Sequence, residues 1–140
     1  MRKISKAKRS YIMSTIRSRN TRPEIIVRRC LYAKGLRYRL HKSDLPGTPD
    51  IVFARKRVVV FIHGCFWHRH AGCKHLKTPR VHASYWTAKF ARNQDRDRKV
   101  LRLLKHLGWK SVVVWECETE KPQALERAVS RVLCALARKI

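Results

Sequence analysis

Residues 58–73 read VVVFIHGCFWHRHAGC, an apolar run followed by a stretch crowded with chemically active side chains. The first five residues form a continuous apolar segment of the kind that becomes a fully buried strand. The stretch from His63 to Cys73 then carries three histidines, two cysteines and two large aromatic residues. We expect this stretch to be a loop that holds the functional groups, with the rest of the chain supporting it.

The cysteines and histidines of this loop have spacings that a tetrahedral zinc ion can accept. Cys65 and Cys73 supply two thiolates, and Cys117 follows a second buried strand around residues 112–114. A histidine completes a set of four protein ligands, which predicts a closed, structural zinc site. A catalytic zinc held by three protein ligands is the alternative. The spacing leaves open which histidine is the ligand: His68, His70 or His75.

Asp50 is the only acidic residue between Asp44 and Asp95, and it opens a strand after the turn Leu-Pro-Gly-Thr-Pro. It either caps that turn or binds a hard cation such as magnesium, as expected for a phosphodiesterase. His63 ends the neighbouring strand, so it can meet Asp50 at one edge of the sheet, beside His68. A neutral histidine there could deprotonate an attacking water.

The charge balance points to a polyanionic partner. The 140 residues include 34 Lys+Arg and 9 Asp+Glu, a formal net charge of +25. The basic residues occur from Arg2 to Lys139, so the charge is not confined to a tail. Such a field attracts nucleic acids and makes their association strongly salt-dependent.

Two classes of protein are disfavoured by the composition. The first ten residues lack the apolar segment of a secretory signal, and no stretch approaches the ~20 apolar residues of a membrane helix. We therefore expect no membrane association. Five cysteines in a chain without a signal indicate a reducing compartment, with metal binding favoured over disulfides.

The remaining patterns predict one α/β domain, a mixed sheet flanked by helices. Residues 1–20 are expected to form a basic N-terminal arm with a short helix, and residues 21–140 the folded domain. Thr21 caps a helix with Glu24 in its first turn, where an acid is favourable. Ser84 is expected to cap a long helix that ends before Gly108. Strands are predicted at residues 36–40, 50–53, 57–62 and 109–115, and a last amphipathic helix at residues 122–140.

Three aromatic residues flank this chemistry: Phe66, Trp67 and Trp86. They either pack as ordinary core and loop side chains or wedge into a base stack, as apolar side chains do where DNA is kinked.

Several segments together resemble the very short patch repair endonucleases, bacterial enzymes that nick DNA beside T·G mismatches left by deamination of 5-methylcytosine. The resemblance spans about Arg9 to Cys117, and its most specific part is the motif around Cys65. It is carried by residues 9–19, the turn LPGTPD at 45–50, HGCFWH at 63–68, residues 93–98 and residues 108–117. It implies the type II restriction endonuclease fold for the domain at 21–140.

The resemblance also implies roles for individual residues. Asp50 is implied as the magnesium ligand with the main-chain carbonyl of Ile62, where the family is expected to have threonine. The implied catalytic residues are His63 and His68, with Glu24 as a supporting acid. The implied zinc ligands are Cys65, His70, Cys73 and Cys117. The implied DNA contacts are the intercalating Phe66, Trp67 and Trp86, and Met13, Lys89 and Asn93 at the mismatched pair.

The predicted function is therefore a magnesium-dependent endonuclease that nicks 5′ of the thymine in T·G mismatches and contains a structural zinc. The predicted partners are mismatched double-stranded DNA and proteins of mismatch repair. The chain is expected to act as a monomer in the bacterial cytoplasm, associated with the nucleoid. Two alternatives remain: a nuclease of the same fold with another DNA target, and a zinc-stabilised DNA-binding module without catalysis.

Overall fold

The computed structural model describes residues 5–6 and 19–138, which form helices around a four-stranded mixed sheet. The predicted single α/β domain with a mixed sheet is confirmed. Met13 and most of the predicted arm lie outside the described residues. The elements, in chain order, are α1 (Arg22–Ala33), β1 (Arg39–Leu40), β2 (Ile51–Phe53), β3 (Val58–His63), α2 (Cys65–His68), α3 (Ala83–His106), β4 (Lys110–Trp115), a 3₁₀ turn (Glu116–Thr119) and α4 (Pro122–Ala137).

The sheet has the strand order β1-β2-β3-β4. β1, β2 and β3 pair in antiparallel fashion, whereas β3 and β4 are parallel and joined by the α2–α3 crossover. His63 is in register with Trp115 at the carboxyl ends of these parallel strands. Cys65 follows β3 and Cys117 follows β4. Because parallel strands end at the same edge of a sheet, both cysteines lie at that edge.

The apolar run of β3 is buried because the sheet is covered on both faces. Val58 and Val60 join a core cluster with α1 and α4, while Val59 and Phe61 join a second cluster with Leu104 of α3. All three valines are fully buried. The prediction of a buried central strand from its continuous apolar sequence is confirmed.

The first helix begins as predicted, since the Thr21 hydroxyl accepts a hydrogen bond from the Glu24 amide at 3.4 Å. The predicted Ser84 cap is wrong. His82 is the N-cap of α3, with a left-handed backbone (φ 55°), so the helix begins at Ala83. Gly108, also left-handed at φ 87°, follows the end of this helix as expected.

Three other local predictions need correction. The strand predicted at residues 36–40 is limited to Arg39–Leu40, because Leu36 and Tyr38 pack against the core without strand pairing. The predicted loop after β3 contains a one-turn helix, α2. α4 ends at Ala137 rather than at the last residue of the chain. Among residues 5–6 and 19–138, no helix is long and apolar enough to cross a membrane.

Candidate functional site

Four potential metal ligands meet at the sheet edge formed by β3 and β4. Cys65 begins α2, His70 and Cys73 follow it, and Cys117 lies in the 3₁₀ turn after β4. One ligand atom from each lies within 4.8 Å of all the others. The Nδ1 atom of His70 is 3.4 Å from the Cys117 sulfur and 3.8 Å from the Cys65 sulfur. A tetrahedral zinc ion separates its sulfur and nitrogen ligands by about 3.6 Å, so this thiol–imidazole cluster fits such an ion.

The surroundings of the thiol–imidazole cluster favour a bound cation. Burial raises the pKa of Cys65 to about 12 and also raises the pKa of Cys117, so without a cation both sulfurs keep their protons. The Cys117 amide donates to the Cys65 sulfur at 3.4 Å. The His70 ring stacks on Trp115 at 4.3 Å, which fixes its orientation. All five cysteines are free.

The structure distinguishes the three histidines whose spacing is ambiguous. His70 alone of the three joins the thiol–imidazole cluster. The Nδ1 atom of His68 donates to Asp97 Oδ2 at 2.6 Å, and the Nε2 atom of His75 donates to Glu120 Oε1 at 2.6 Å. His68 and His75 therefore have other partners.

A second group of side chains lines a cleft of about 440 Å³ between the β2–β3 sheet edge and α3. We call Asp50, His63, His68 and Asp97 the acid–histidine pocket. Arg96 also lines the cleft and contributes a positive charge at its border. The predicted meeting of Asp50, His63 and His68 at one sheet edge therefore describes their positions correctly.

Asp50 lies in a buried environment that destabilises its charged carboxylate unless a cation is bound. Burial, followed by the nearby Glu24, raises its pKa to about 6, although a 2.7 Å hydrogen bond from the Ile62 amide favours the charged form. This bond joins the Asp50 carboxylate to the neighbouring strand. A divalent ion would compete with the proton for this carboxylate.

The two histidines of the pocket have different environments. Their rings are stacked, with centroids 3.9 Å apart and planes within 5°. Burial and the adjacent His68 lower the pKa of His63 to about 4, so His63 is neutral at neutral pH. Asp97 holds Nδ1 of His68 and leaves Nε2 as the ring nitrogen that can exchange a proton.

Sequence reasoning missed Asp97 as a functional residue. The available signal was its place within the family-like segment at residues 93–98, four residues after Asn93 on one helix face.

Glu24 is not an exposed first-turn charge but one of the most buried polar residues, at 2% exposure. Its carboxylate accepts hydrogen bonds from the Asn20 amide and from Nε2 of His41. Ligand atoms of Glu24, His41 and Asp50 lie within 4.8 Å of one another. These contacts place Glu24 beside the acid–histidine pocket, and they add His41, which sequence reasoning also missed.

The residues Phe66, Trp67 and Trp86 form one aromatic cluster. The Phe66 ring lies 5.0 Å from Trp67 and 5.9 Å from Trp86, and the buried Phe90 packs beneath it. None of the three is fully buried. They therefore pack together, yet keep part of their surface open to a ligand.

Polar residues of α3 border this aromatic cluster. The Lys89 ammonium lies 5.5 Å from the Trp67 ring centre, and the Asn93 side chain donates to the Trp67 carbonyl at 3.2 Å. Trp67 precedes His68 in the chain, and Asn93 is one helical turn from Asp97. The aromatic cluster is therefore continuous with the acid–histidine pocket.

Comparison with known proteins shows which family the chain resembles. A family model described as DNA mismatch endonuclease Vsr matches residues 1–75, more than half of the chain. The Type II nicking enzyme V.XorIIP of Xanthomonas oryzae pv. oryzae is 46% identical over 131 residues, covering 94% of this chain and 96% of the relative. V.NmeAIP of Neisseria meningitidis serogroup A is 39% identical, covering 91% and 90%. DNA mismatch endonuclease Vsr of Escherichia coli K12 is 41% identical, covering 80% and 71%.

Proposed function

The chain belongs to the Vsr family of DNA mismatch endonucleases, and from this premise we propose that it nicks DNA 5′ of the thymine in T·G mismatches. The chain is a DNA endonuclease, as its family and its nicking-enzyme relatives indicate. The proposed lesion is the product of 5-methylcytosine deamination, so the nick would initiate very short patch repair. The observation that carries the proposal is the continuity of the aromatic cluster with the acid–histidine pocket.

Two metal ions have separate proposed sites. The acid–histidine pocket suits magnesium, held by Asp50 and the main-chain carbonyl of Ile62, because hard cations prefer oxygen ligands. When bound, magnesium polarises a phosphate and lowers the pKa of a coordinated water. The thiol–imidazole cluster suits zinc in a structural role, because four protein ligands leave no open position.

Each side chain of the acid–histidine pocket has a proposed task. His68 takes a proton from the attacking water through Nε2, while Asp97 holds the opposite ring nitrogen and stabilises the imidazolium that forms. His63 stays neutral and supports the His68 ring by stacking. Glu24 supports Asp50 as a second acid at the same place.

The aromatic cluster has a proposed role in selecting the mismatch. Insertion of Phe66, Trp67 and Trp86 requires unstacking, which costs a few kcal/mol per step in paired DNA and less at a mismatch. Lys89 and Asn93 lie on one face of α3 and could then hydrogen-bond the exposed bases. Met13, outside the described residues, is proposed to contact the same pair.

The remaining proposals follow from the family. We expect a monomer that acts in the bacterial cytoplasm at the nucleoid and contacts mismatch-repair proteins.

The competing candidate is a nuclease of the same fold with another DNA target. The non-catalytic DNA-binding module is disfavoured because it would not need the acid–histidine pocket. Mapping the cut in end-labelled duplexes with and without magnesium separates these functions: a nick 5′ of the mismatched thymine supports the proposal, and a cut elsewhere supports the competitor.

If His68 transfers a proton, substitutions of His68 and His75 should lower the nicking rate by different amounts. His68→Ala should lower the single-turnover nicking rate by about 10²–10⁴-fold, the usual contribution of a general base. His75→Ala should leave the rate near that of the wild type, because His75 pairs with Glu120 at the surface. Equal and small losses in both variants would remove His68 from this role.

The wedge role predicts that Trp67→Ala weakens cleavage of T·G duplexes by about 5- to 150-fold, because base–aromatic stacking contributes ~1–3 kcal/mol. Affinity for matched DNA should change little, since phosphate contacts dominate it. Tyr32→Ala, which removes an exposed aromatic of α1, is the control. If Trp67→Ala lowers T·G cleavage and matched-DNA affinity together, the proposed insertion of Trp67 into the base stack is contradicted.

A further inference from the structure

We propose that His41 is a positioning residue that holds the Glu24 carboxylate beside Asp50 and thereby sets the divalent-cation requirement of nicking. This inference rests on the proposed function, because it assigns Asp50 to the cation. It concerns a residue outside the sequence segments that carry the resemblance, although within residues 1–75, which the family model matches. His41 lies just after β1, and Asp50 lies just before β2.

His41 is bonded to both acids, through different atoms. Its side-chain Nε2 donates to Glu24, and its main-chain amide donates to the Asp50 carbonyl oxygen at 3.2 Å. Its side chain is only 12% exposed, so solvent screens the contact with Glu24 weakly. One residue therefore links the position of the buried Glu24 side chain to the backbone of Asp50, the proposed cation ligand.

The backbone of His41 supports this bridging role. Its φ of 47° lies in the left-handed region, which few residues other than glycine adopt and which is frequent at functional sites. The conformation is compatible with the 3.2 Å bond to the Asp50 carbonyl. It is also compatible with a side chain that reaches Glu24 of α1.

The Glu24 and Asp50 carboxylates need a hydrogen-bond donor such as His41 beside them. Their ligand atoms lie within 4.8 Å of each other, and like charges at that distance in a buried site repel strongly. Glu24 accepts one other described hydrogen bond, from the Asn20 amide to its second oxygen. Without His41, the first oxygen has no described donor, so the carboxylate is expected to rotate away from its place beside Asp50. This rotation weakens an acidic pair that attracts a divalent cation.

The test compares two substitutions of His41 whose side-chain amides differ in length. In His41→Gln the amide nitrogen can occupy roughly the place of Nε2 and still donate to Glu24. In His41→Asn it cannot reach Glu24, yet asparagine tolerates the left-handed backbone well, so the fold should be retained. His106→Asn, at the exposed end of α3, is the matched control.

The measured quantity is the magnesium concentration that gives half-maximal nicking, with DNA affinity and thermal midpoint recorded beside it. We expect His41→Asn to raise this concentration about 10- to 100-fold, the usual effect of losing a partner of a metal ligand, with DNA affinity unchanged. His41→Gln should restore most of the wild-type value, and His106→Asn should match wild type. In a Glu24→Gln background, His41→Asn should have little further effect, because its action passes through Glu24.

Specific outcomes overturn the inference. A His41→Asn variant with an unchanged magnesium response, or with a lowered thermal midpoint alone, would make His41 merely structural. Additive effects of the Glu24 and His41 substitutions would show that His41 does not act through Glu24. A wild-type protein that does not respond to magnesium at all would instead refute the proposed function, so the two failures are distinguishable.

Discussion

Asp50→Asn is expected to reduce magnesium-dependent nicking by about 10³-fold or more while leaving DNA binding largely intact. The substitution removes the proposed anionic ligand, and the Lewis-acid contribution of a bound metal is several kcal/mol, with each 1.36 kcal/mol worth a tenfold change in rate. DNA affinity should persist because the protein keeps its net positive charge, formally +25 before the change. Single-turnover nicking and equilibrium DNA binding, measured on the same preparation, give the two values.

Asp44→Asn provides the matched control for this experiment. Asp44 is exposed and pairs with Lys42 at 3.7 Å, so its substitution changes the net charge equally but leaves the acid–histidine pocket intact. Near-normal cleavage by Asp50→Asn in magnesium would remove Asp50 from the proposed site. Equal losses in both variants would attribute the effect to charge alone.

The second large effect is expected from the thiol–imidazole cluster. Cys73→Ser should release the metal and lower the thermal midpoint sharply. Structural zinc contributes ~10–16 kcal/mol of apparent binding free energy in small zinc domains, which is comparable to the entire stability of a typical domain. Metal analysis by mass spectrometry and thermal unfolding followed by circular dichroism would measure both changes.

Cys134→Ser is the control for the zinc experiment, because Cys134 is an exposed free thiol on α4 outside the cluster. It should retain one zinc per chain and the wild-type midpoint. Active wild-type protein without zinc would refute the structural role of the metal.

The sequence predicted the parts of the fold that depend on local pattern. The apolar run of β3 requires cover on both faces of the sheet, and the structure has that cover. The Thr21 cap and the end of α3 before Gly108 could also be predicted, because helix capping and the left-handed backbone conformation of glycine are local preferences. Ser84 was predicted as a cap by the same logic, but the N-cap of α3 is His82, two residues earlier, with a left-handed backbone.

The contacts that complete the acid–histidine pocket could not be predicted in this way. The bond between His68 and Asp97 joins residues 29 apart, and the bond between Glu24 and His41 joins residues 17 apart. Neither pair has a spacing that distinguishes it from solvated surface charges. The burial of Glu24 depends on how α1 packs against the sheet, which no local pattern encodes.

Mismatch selection is tested most directly by comparing wild-type nicking of T·G and T·A duplexes that are otherwise identical. Each strand is labelled separately, and the reaction is run in magnesium and in a chelator at a concentration that spares the zinc. We expect one cut, in the thymine strand just 5′ of the mismatched base, that depends on magnesium and is much faster for T·G than for T·A. Equal cutting of both duplexes would contradict mismatch selection and leave a nuclease of the same fold with a different target.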